Sequence, residues 1–436
     1  MAEQFCDADV ETIASLVDKS LLRQSQGRFW MLATIREYAL ERLEERGASP
    51  DLRRRHAGHF SGMGRRAGEE LRGPDAARCL LELEQELDNV RAALAFALEV
   101  DEVELGLALA SELYRFWIAH GRASEGRRWL DELLARAETA SSAVVGTALH
   151  RAGDMALWQG DHEQAAELSR KAAPLLRDAG LTEKLCYALT THGWAIGALG
   201  DQEQAAAVLE EALMLARAEG YEMASASALN NLAAVHKLRG DYPRALELNE
   251  ACLEIIERAG DPLNVAVVLG NVGEIALGAG DPRRAADVLE RSLQLARELG
   301  DSRQAVWSLA HLALASLLDG DTERSRELFA ESLPQAFEGH DQRAVDACLH
   351  GLAGVAGVAG DAERAARLWG AAERVRESLG NQPGPPQLAV EARFLARARS
   401  VLGDRFSQLE AAGRELSLED AVALAITEGH ARASSL

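Results

Sequence analysis

The chain has 436 residues, 47 of them Lys or Arg and 69 Asp or Glu, so its formal net charge is −22 at pH 7. This excess of carboxylates opposes binding to a nucleic-acid backbone, and we expect no direct nucleic-acid partner. The sequence also lacks an apolar run of about 18 residues, a signal peptide and paired cysteines. We therefore expect no membrane segment, and buried thiols in a cytoplasmic protein.

The first residues are predicted to form a helix, a β-hairpin and a second helix. Residues 9–23 have helical apolar periodicity, and Ala33–Glu45 repeats this pattern more strongly. Between them, Leu21–Gln24 and Arg28–Leu32 flank the turn Ser25-Gln26-Gly27, which is typical of a short hairpin. Helix, hairpin and helix in this order form the end of a winged-helix domain.

Three segments resemble a known family of bacterial regulators. Leu16–Glu45, which includes LVDKSLL and GRFWMLATIREYALERLEE, resembles the end of the winged helix in bacterial signal-transduction ATPases with numerous domains. Leu71–Asp75 (LRGPD) and Glu86–Leu98 (ELDNVRAALAFAL) resemble the helical connector that comes next in that family. The family includes large transcriptional regulators of the LuxR and SARP types. The resemblance implies an effector domain, a nucleotide-binding domain, a winged helix and a repeat superhelix that senses the signal.

The chain departs from this family at the nucleotide site. No Gly-x-x-x-x-Gly-Lys-Ser/Thr motif occurs, and Lys19-Ser20 lacks the preceding glycines that would cradle phosphates. Related eukaryotic switches carry a Met-His-Asp motif near the hairpin, where this chain has Met31-Leu32-Ala33. No helix-turn-helix is recognised at the C-terminus. We therefore expect this chain to contain the sensor part of such a regulator without its nucleotide-binding or effector domain, and to bind no cofactor.

Starting within a winged helix predicts that the sequence is a fragment of a longer polypeptide. Half of a domain would leave apolar side chains such as Ile13, Leu16 and Phe29 short of partners. We accordingly expect a poorly ordered N-terminal stretch.

Further along the chain, the dipeptide Gly-Asp recurs every 40 residues. A second series of glycines lies halfway between the pairs. The segments between glycines are rich in Ala, Leu, Glu and Arg, so we predict helical hairpins in which each glycine ends one helix and each Asp caps the next. The pairs are Gly160-Asp161, Gly200-Asp201, Gly240-Asp241, Gly280-Asp281, Gly320-Asp321 and Gly360-Asp361, and the halfway glycines are Gly180, Gly220, Gly260, Gly300, Gly339 and Gly380.

The interior positions of the repeats also recur. A leucine lies eleven residues before each Gly-Asp glycine, with small residues seven before and five after it. This spacing, which holds over about 145–380, resembles the tetratricopeptide repeat, although that family's usual unit is about 34 residues long. The leucines are Leu149, Leu189, Leu229, Leu269, Leu309 and Leu349; the small residues are Gly153, Gly193, Ala233, Gly273, Ala313 and Ala353, then Ala165, Ala205, Ala245, Ala285, Ser325 and Ala365.

The predicted fold class is mostly α, a tetratricopeptide-like superhelix of helical hairpins preceded by a partial winged helix. A degenerate repeat is predicted before the six regular ones from Leu113, Gly121, Gly126, Leu130 and Leu133. Pro383, Pro385 and Pro386 end the array. The expected domains are 1–48 (partial winged helix), 49–105 (helical connector), 106–380 (repeats) and 381–436 (capping helices).

Candidate chemistry is sparse. His56 and His59 are spaced to share a helix face, but a third metal ligand is missing, so we expect solvated side chains and no metal. His150, His311 and His350 are scattered outside any catalytic motif. The glycines at 351, 354, 357 and 360 follow no strand, so close helix packing is favoured over a dinucleotide fingerprint. We predict no enzymatic activity.

The first helix of each hairpin is expected to line the concave side of the superhelix. Opposite the Leu and small positions, this face carries aromatic, amide and charged side chains, which suit a protein or peptide ligand. Trp194 and Trp307 are the preferred anchors, with gap filling between repeats as the alternative; for the asparagines the alternative is ordinary inter-helix hydrogen bonding. The predicted ligand-binding residues are His150, Arg151, Asp154, Tyr187, Thr190, Trp194, Asn230, Asn231, Lys237, Asn271, Glu274, Trp307 and His311.

These observations leave two functional hypotheses. In the first, the chain is the sensor and regulatory module of an ATP-switched bacterial transcriptional regulator, with a nucleotide-binding domain in the same or another chain as a further partner. In the second, it is a free-standing adaptor that joins two proteins.

Overall fold

The computed structural model describes residues 9–25, 28–47, 49–71, 75–379 and 382–426. Its chain divides into two compact units, residues 1–204 and residues 205–436.

The first unit begins with the predicted helix, hairpin and helix. Helix α1 (Val10–Asp18) starts at Asp9, whose carboxylate accepts from the backbone N–H of Thr12 at 2.7 Å. Strands β1 (Arg23–Ser25) and β2 (Arg28–Trp30) pair antiparallel, and α2 (Ala33–Glu45) comes next. The predicted order is confirmed with shorter strands. Gln26 and Gly27 of the predicted turn lie outside the described residues.

The apolar side chains of this N-terminal part have few partners, as expected. Neither α1 nor α2 contains a buried residue. Ile13 and Leu16 are half-buried, and Phe29 is 44% exposed. An ion pair between Arg28 and Glu86 (2.5 Å) links the hairpin to the rest of the unit.

Eight further helices and one short 3-10 turn complete the described part of the first unit. Consecutive helices pack against each other, and Phe60, Phe116 and Trp117 lie among the buried side chains of its core. The helices are α3 (Ser49–Glu70), α4 (Ala76–Glu99), α5 (Val103–Glu112), α6 (Tyr114–Ala119), α7 (Ala123–Leu134), α8 (Ser142–Trp158), α9 (His162–Asp178) and α10 (Thr182–Ala198), with the 3-10 turn at Ala137–Thr139.

Helix α11 (Gln202–Ala218) spans the boundary, and the second unit continues with regular hairpins. Within this unit each helix packs on the next, and the first helices of successive hairpins also contact each other. The helices are α12 (Glu222–Leu238), α13 (Tyr242–Ala259), α14 (Pro262–Gly278), α15 (Pro282–Leu299), α16 (Ser302–Asp319), α17 (Thr322–Glu338), α18 (Gln342–Ala359) and α19 (Ala362–Ser378).

The Gly-Asp pairs work as predicted. Gly240 has a φ of +78°, in the left-handed region that glycine adopts without strain. The carboxylate of the following Asp241 accepts from the backbone N–H of Arg244 at 3.3 Å, which satisfies one free donor at the start of α13. The same left-handed glycine and capping aspartate recur at all six pairs.

Helix α17 ends at Gly339 as predicted, but the left-handed conformation predicted for this glycine is wrong. Gly339 has a φ of −77° and is right-handed, whereas His340 takes the left-handed conformation with a φ of 54°. The reason is register, because Gly300 is followed 40 residues later by His340, and Gly339 lies one residue too early. Gly380 lies outside the described residues.

The small positions bring the two helices of a hairpin together. Ala165, Ala205, Ala245, Ala285, Ser325 and Ala365 are all 0% exposed. A Cβ added to Gly273 would lie 2.4 Å from Cγ of Leu289, which leaves no room for a side chain. The predicted close approach of the helices is therefore confirmed.

The C-terminal residues form three further helical elements after the predicted break. Helix α20 (Pro385–Val390) continues through a π-helical turn (Glu391–Leu395) into α21 (Ala396–Leu402). Helices α22 (Asp404–Arg414) and α23 (Leu418–Ile426) pack on α19. This packing is close at Gly370, where an added Cβ would lie 2.0 Å from the backbone oxygen of Glu410.

Candidate ligand-binding face

We define the first-helix face as the side chains of the first helices at 13, 10, 9, 6 and 3 residues before each Gly-Asp glycine. These positions share one side of a helix, because their spacings follow its 3.6-residue turn. All the predicted ligand-binding residues lie on this face. Helices α8 and α10 carry six of them in the first unit, and α12, α14 and α16 carry seven in the second.

Asp154 is the centre of a polar cluster in the first unit. Its carboxylate accepts from Thr191 Oγ1 at 2.7 Å and from Arg151 Nη1 at 3.0 Å. The Arg151 guanidinium lies over the ring of Tyr114, with Cζ 3.8 Å from the ring centroid. Two successive first helices and a preceding helix are thus tied together by one carboxylate and one cation.

Three of the predicted residues in this unit are buried. His150 is 1% exposed, Arg151 7% and Thr190 4%. Thr190 Oγ1 donates to the backbone oxygen of Cys186 in its own helix at 2.8 Å. These three buried side chains pack beneath the surface of the face. The half-buried Asp154, Tyr187 and Trp194 form its accessible part.

Burial keeps His150 uncharged. Removal of its ring from water lowers its pKa to about 4, and the attraction of Asp154 only partly opposes this shift. At neutral pH the cluster in the first unit therefore contains one carboxylate, one guanidinium and a neutral imidazole.

In the second unit, paired side chains connect the first helices of neighbouring repeats. Asn271 Nδ2 donates to Asn230 Oδ1 at 2.9 Å, which is the inter-helix hydrogen bond considered as an alternative role. Lys237 Nζ lies 2.8 Å from Glu274 Oε1. Burial opposes ionisation of Glu274, but the ammonium of Lys237 outweighs this effect and the pKa of Glu274 lies below its usual value. Asn231 is half-buried on the same face.

Trp307 and His311 form the aromatic part of this face. Their ring centroids are 4.1 Å apart, and His311 Nδ1 donates to the backbone oxygen of Trp307 at 2.9 Å. His311 is 7% exposed, and burial lowers its pKa. Trp307 is half-buried, so part of its ring surface remains accessible to solvent.

A buried ionic network in the last repeat was not predicted from the sequence. His350 Nε2 lies 3.1 Å from Glu373 Oε1, and its Nδ1 lies 3.0 Å from Asp346 Oδ1. Arg376 pairs with Glu373 at 2.6 Å, and Trp369 packs edge-on against the imidazole with ring centroids 4.7 Å apart. The repeat pattern gave no signal, because the partners of His350 lie on two helices.

This network keeps His350 charged. Burial alone would lower the pKa of His350, but the carboxylates of Asp346 and Glu373 outweigh it and raise the pKa to about 9. The hydrogen bond from His350 in turn holds the pKa of Glu373 well below its usual range.

The other candidates have ordinary surroundings. His56 Nε2 lies 3.4 Å from Asn89 Oδ1, and among the described residues no group of three His, Cys, Asp or Glu side chains could hold a metal ion. The predicted buried thiols are confirmed at Cys79, Cys186, Cys252 and Cys348, and Cys6 lies outside the described residues. In the part of the chain that the structure describes, no helix is both long and apolar enough to span a membrane.

Comparison with protein families and curated sequences supports the repeat assignment. Residues 224–298 match the tetratricopeptide repeat family. A protein of Mycobacterium tuberculosis (strain H37Rv) named "Putative HTH-type transcriptional regulator" is 29% identical over 203 residues. This alignment covers 43% of the chain but only 22% of that protein's length.

Solved structures share the fold at low sequence identity. The Signal Transduction ATPase with Numerous Domains protein with a tetratricopeptide repeat sensor from Pyrococcus horikoshii has a TM-score of 0.63 and 18% identity, with coverage of 94% of this chain and 59% of that one. The apo form of the quorum sensor NprR from B. thuringiensis has a TM-score of 0.51 and 18% identity, with coverage of 79% and 96%. Aspartyl phosphate phosphatase F from Bacillus subtilis has a TM-score of 0.52 and 14% identity, with coverage of 73% and 94%.

These findings confirm the predicted resemblance. The chain is a mostly α-helical protein with tetratricopeptide repeats, shares its fold with 59% of a signal-transduction ATPase that has a repeat sensor, and is similar in sequence to a protein named as a transcriptional regulator.

Proposed function

We propose that the chain is the non-enzymatic sensor and regulatory module of an ATP-switched bacterial transcriptional regulator. In this proposal the first-helix face binds a protein or peptide, and the N-terminal residues pass the bound state to a nucleotide-binding domain. We expect the chain to be cytoplasmic, because a bacterial transcriptional regulator acts in the compartment that contains the chromosome. The domain boundaries are those predicted above, at 48, 105 and 380.

The observation that carries the binding role is the composition of the first-helix face. Asp154 and Trp194 in the first unit and Glu274 in the second are half-buried at the same repeat position, where the other three regular repeats have Ala, Leu or Gly. Amide groups at Asn231 and Asn271 can hold a peptide backbone, and the half-buried ring of Trp307 can supply an anchor.

The regulatory role rests on the N-terminal part and on the similarities. Around the hairpin, Val10 is 67% exposed, Trp30 45% and Tyr38 60%. A surface of this kind suits packing against a further domain. The proteins that this chain resembles in sequence or fold include one named as a transcriptional regulator and an ATPase with a repeat sensor.

A free-standing adaptor is the second candidate. The fold match to NprR covers 96% of the chain in that structure, so helical repeats like these make up nearly all of that chain. An enzyme has less support: one neighbour is named a phosphatase, but the shared feature is the fold alone at 14% identity.

The binding role is tested by capture from a lysate of the source bacterium. The full chain is immobilised, and retained proteins and peptides are compared between wild type and the Trp307→Ala and Asn231→Ala/Asn271→Ala variants. Met214→Ala, a 66% exposed side chain on the second-helix side of its repeat, is the matched control. We expect a ligand retained by wild type and the control but lost from both face variants. Identical capture by all four proteins contradicts the binding role.

A further inference from the structure

Part of the first-helix face in the second unit is already covered by the chain itself. We call residues 385–395 the strap; they comprise α20 and the π-helical turn. Helix α20 packs against α14, α16 and α18, which are first helices of three successive repeats, and the π-helical turn packs against α18. The strap therefore crosses the same side of the hairpins that carries the candidate ligand-binding residues.

The register of the repeat makes this overlap specific. Gly354 lies six residues before its Gly-Asp glycine, as Glu274 does, and Gly357 lies three before, as Lys237 does. A Cβ on Gly354 would lie 2.9 Å from Val390 Cγ1, and a Cβ on Gly357 would lie 2.4 Å from the backbone oxygen of Phe394. In the last repeat the strap thus takes the space that Glu274 and Lys237 occupy in earlier repeats, and the repeat directly before it has Leu314 and Leu317 at the same two positions.

Both apolar and polar contacts hold the strap. Val390 and Leu395 are 0% exposed, and Phe394 is half-buried. Arg393 Nη1 donates to the backbone oxygen of Leu318 at 2.6 Å, which satisfies a carbonyl at the C-terminal end of α16. The outer side of the strap is open, since Leu388 is 49% exposed.

The conformation of the strap fits a short docked helix. A π-helical turn is rare and occurs mostly as a single turn inside a longer helix, frequently at functional sites. Here it lies between Val390 and Ala396, and both Val390 before it and Leu395 within it are fully buried. Pro385 and Pro386 fix the entry of the segment, which lowers the entropy lost on docking.

We propose that the strap is an internal occupant of the partner-binding face and that a partner displaces it with a short helix of its own. This inference rests on the proposed function, because it assumes that the face binds a partner. The strap then defines the partner chemistry: a helical segment with apolar side chains at positions i, i+4 and i+5 and an arginine beside them, as at Val390, Phe394, Leu395 and Arg393. Laying an apolar helix stripe into a groove is a common mode of peptide recognition.

The test uses the strap itself as the probe. A fluorescein-labelled synthetic peptide of residues 382–396 is titrated against the full chain and against an Arg393→Ala/Phe394→Ala variant, and binding is followed by anisotropy. The double substitution weakens the strap but leaves the face unchanged. We expect at least about tenfold tighter probe binding by the variant, because the open state is rare in the wild type.

Two glycine variants show where the probe binds. Gly357→Ala, added to the double variant, should remove the gain, because the new Cβ collides with the backbone of the docked peptide. The control is Gly58→Ala in α3, also a helical glycine, whose added Cβ would meet nothing within 4 Å. The gain should survive this change.

Amide exchange of residues 385–395 reports whether the strap has opened. Faster exchange in the double variant without tighter probe binding, or a gain that Gly357→Ala leaves intact, overturns the proposal. Unchanged exchange in both the double variant and a Gly357→Ala single variant also overturns it, since the segment is then a fixed cap. These outcomes do not depend on the natural ligand, so a failure of this inference can be distinguished from a failure of the proposed function, which the capture experiment tests.

Discussion

His150 and His350 occupy the same position of the repeat, ten residues before a Gly-Asp glycine, in the first and the sixth regular repeat. Each is 1% exposed. Burial holds the pKa of His150 at about 4, whereas the carboxylates of Asp346 and Glu373 raise that of His350 to about 9. The repeat position thus determines burial, but the neighbouring side chains determine charge and chemistry.

The largest expected loss of stability is that of His350→Leu, which is compared with the same substitution at His150. His350→Leu leaves the buried Asp346 without its cation, while the half-buried Glu373 keeps its pair with Arg376, and we expect the change to cost about 3 kcal/mol of unfolding free energy. His150→Leu removes a neutral ring and one hydrogen bond, so about 1 kcal/mol is expected. Amide exchange of α18 and α8 measures each local cost, because repeats can open separately. Equal losses of unfolding free energy at the two sites would show that the position in the repeat, and not the neighbouring side chains, determines what each histidine contributes to stability.

The two histidines should also respond to pH in opposite directions. The raised pKa of His350 stabilises its repeat fully below the ordinary pKa of 6.5, and this contribution is lost as pH rises through about 9. The lowered pKa of His150 stabilises its repeat above 6.5, and this contribution is lost as pH falls through about 4.

Exchange protection of α18 should therefore fall between pH 7 and 9, and that of α8 between pH 7 and 4, after correction for the intrinsic exchange rate. The two His→Leu variants are the controls and should each lose the matching dependence. A fall in protection of α18 on acidification alone would be incompatible with a charged His350.

A smaller effect is expected at the small position shared by Gly153 and Gly273. A Cβ on Gly273 meets the branched Cγ of Leu289 at 2.4 Å, whereas a Cβ on Gly153 meets the Ser169 hydroxyl at 2.8 Å, which can rotate away. We expect Gly273→Ala to cost about 2 kcal/mol and Gly153→Ala to be nearly neutral, since alanine favours the helix by about 1 kcal/mol. Urea unfolding monitored by circular dichroism measures both. A larger cost at Gly153 would refute this comparison.

The smallest effect concerns the irregular helix end. His340 holds the left-handed conformation that glycine holds at Gly300. His340→Gly should stabilise the second unit by about 0.5 kcal/mol, because relief of left-handed strain slightly exceeds the entropy cost of glycine. The reverse change, Gly300→His, should destabilise it by a similar amount in thermal unfolding. Destabilisation by His340→Gly would mean that the histidine side chain makes a contact worth more than the strain.

Much of the fold could be predicted because its determinants are local. A glycine with positive φ and an aspartate that caps the next helix act within four residues, so the period of 40 located the helix ends. The error at Gly339 arose where the spacing slipped by one residue. The small residues near the hairpin turns were predictable for the same reason.

The face and its strap were less predictable because their contacts are distant in sequence. Arg393 contacts Leu318, 75 residues away, and no local pattern encodes that pair. Pro383 and the two prolines that begin α20 predicted a break in the array but not the docking of α20 on the repeats. The available signal was the glycine series at Gly351, Gly354 and Gly357, three helical glycines without a local role. Close helix packing was predicted there, and the strap is one of the partners.

Whether these repeats sense a signal for a larger ATP-switched regulator is tested by the size of the native gene product. The measurement is an immunoblot of a lysate of the source bacterium with an antibody raised against the repeats. We expect a single band far above the 47.0 kDa of this chain. A single band at 47.0 kDa would contradict the sensor role and favour a free-standing adaptor.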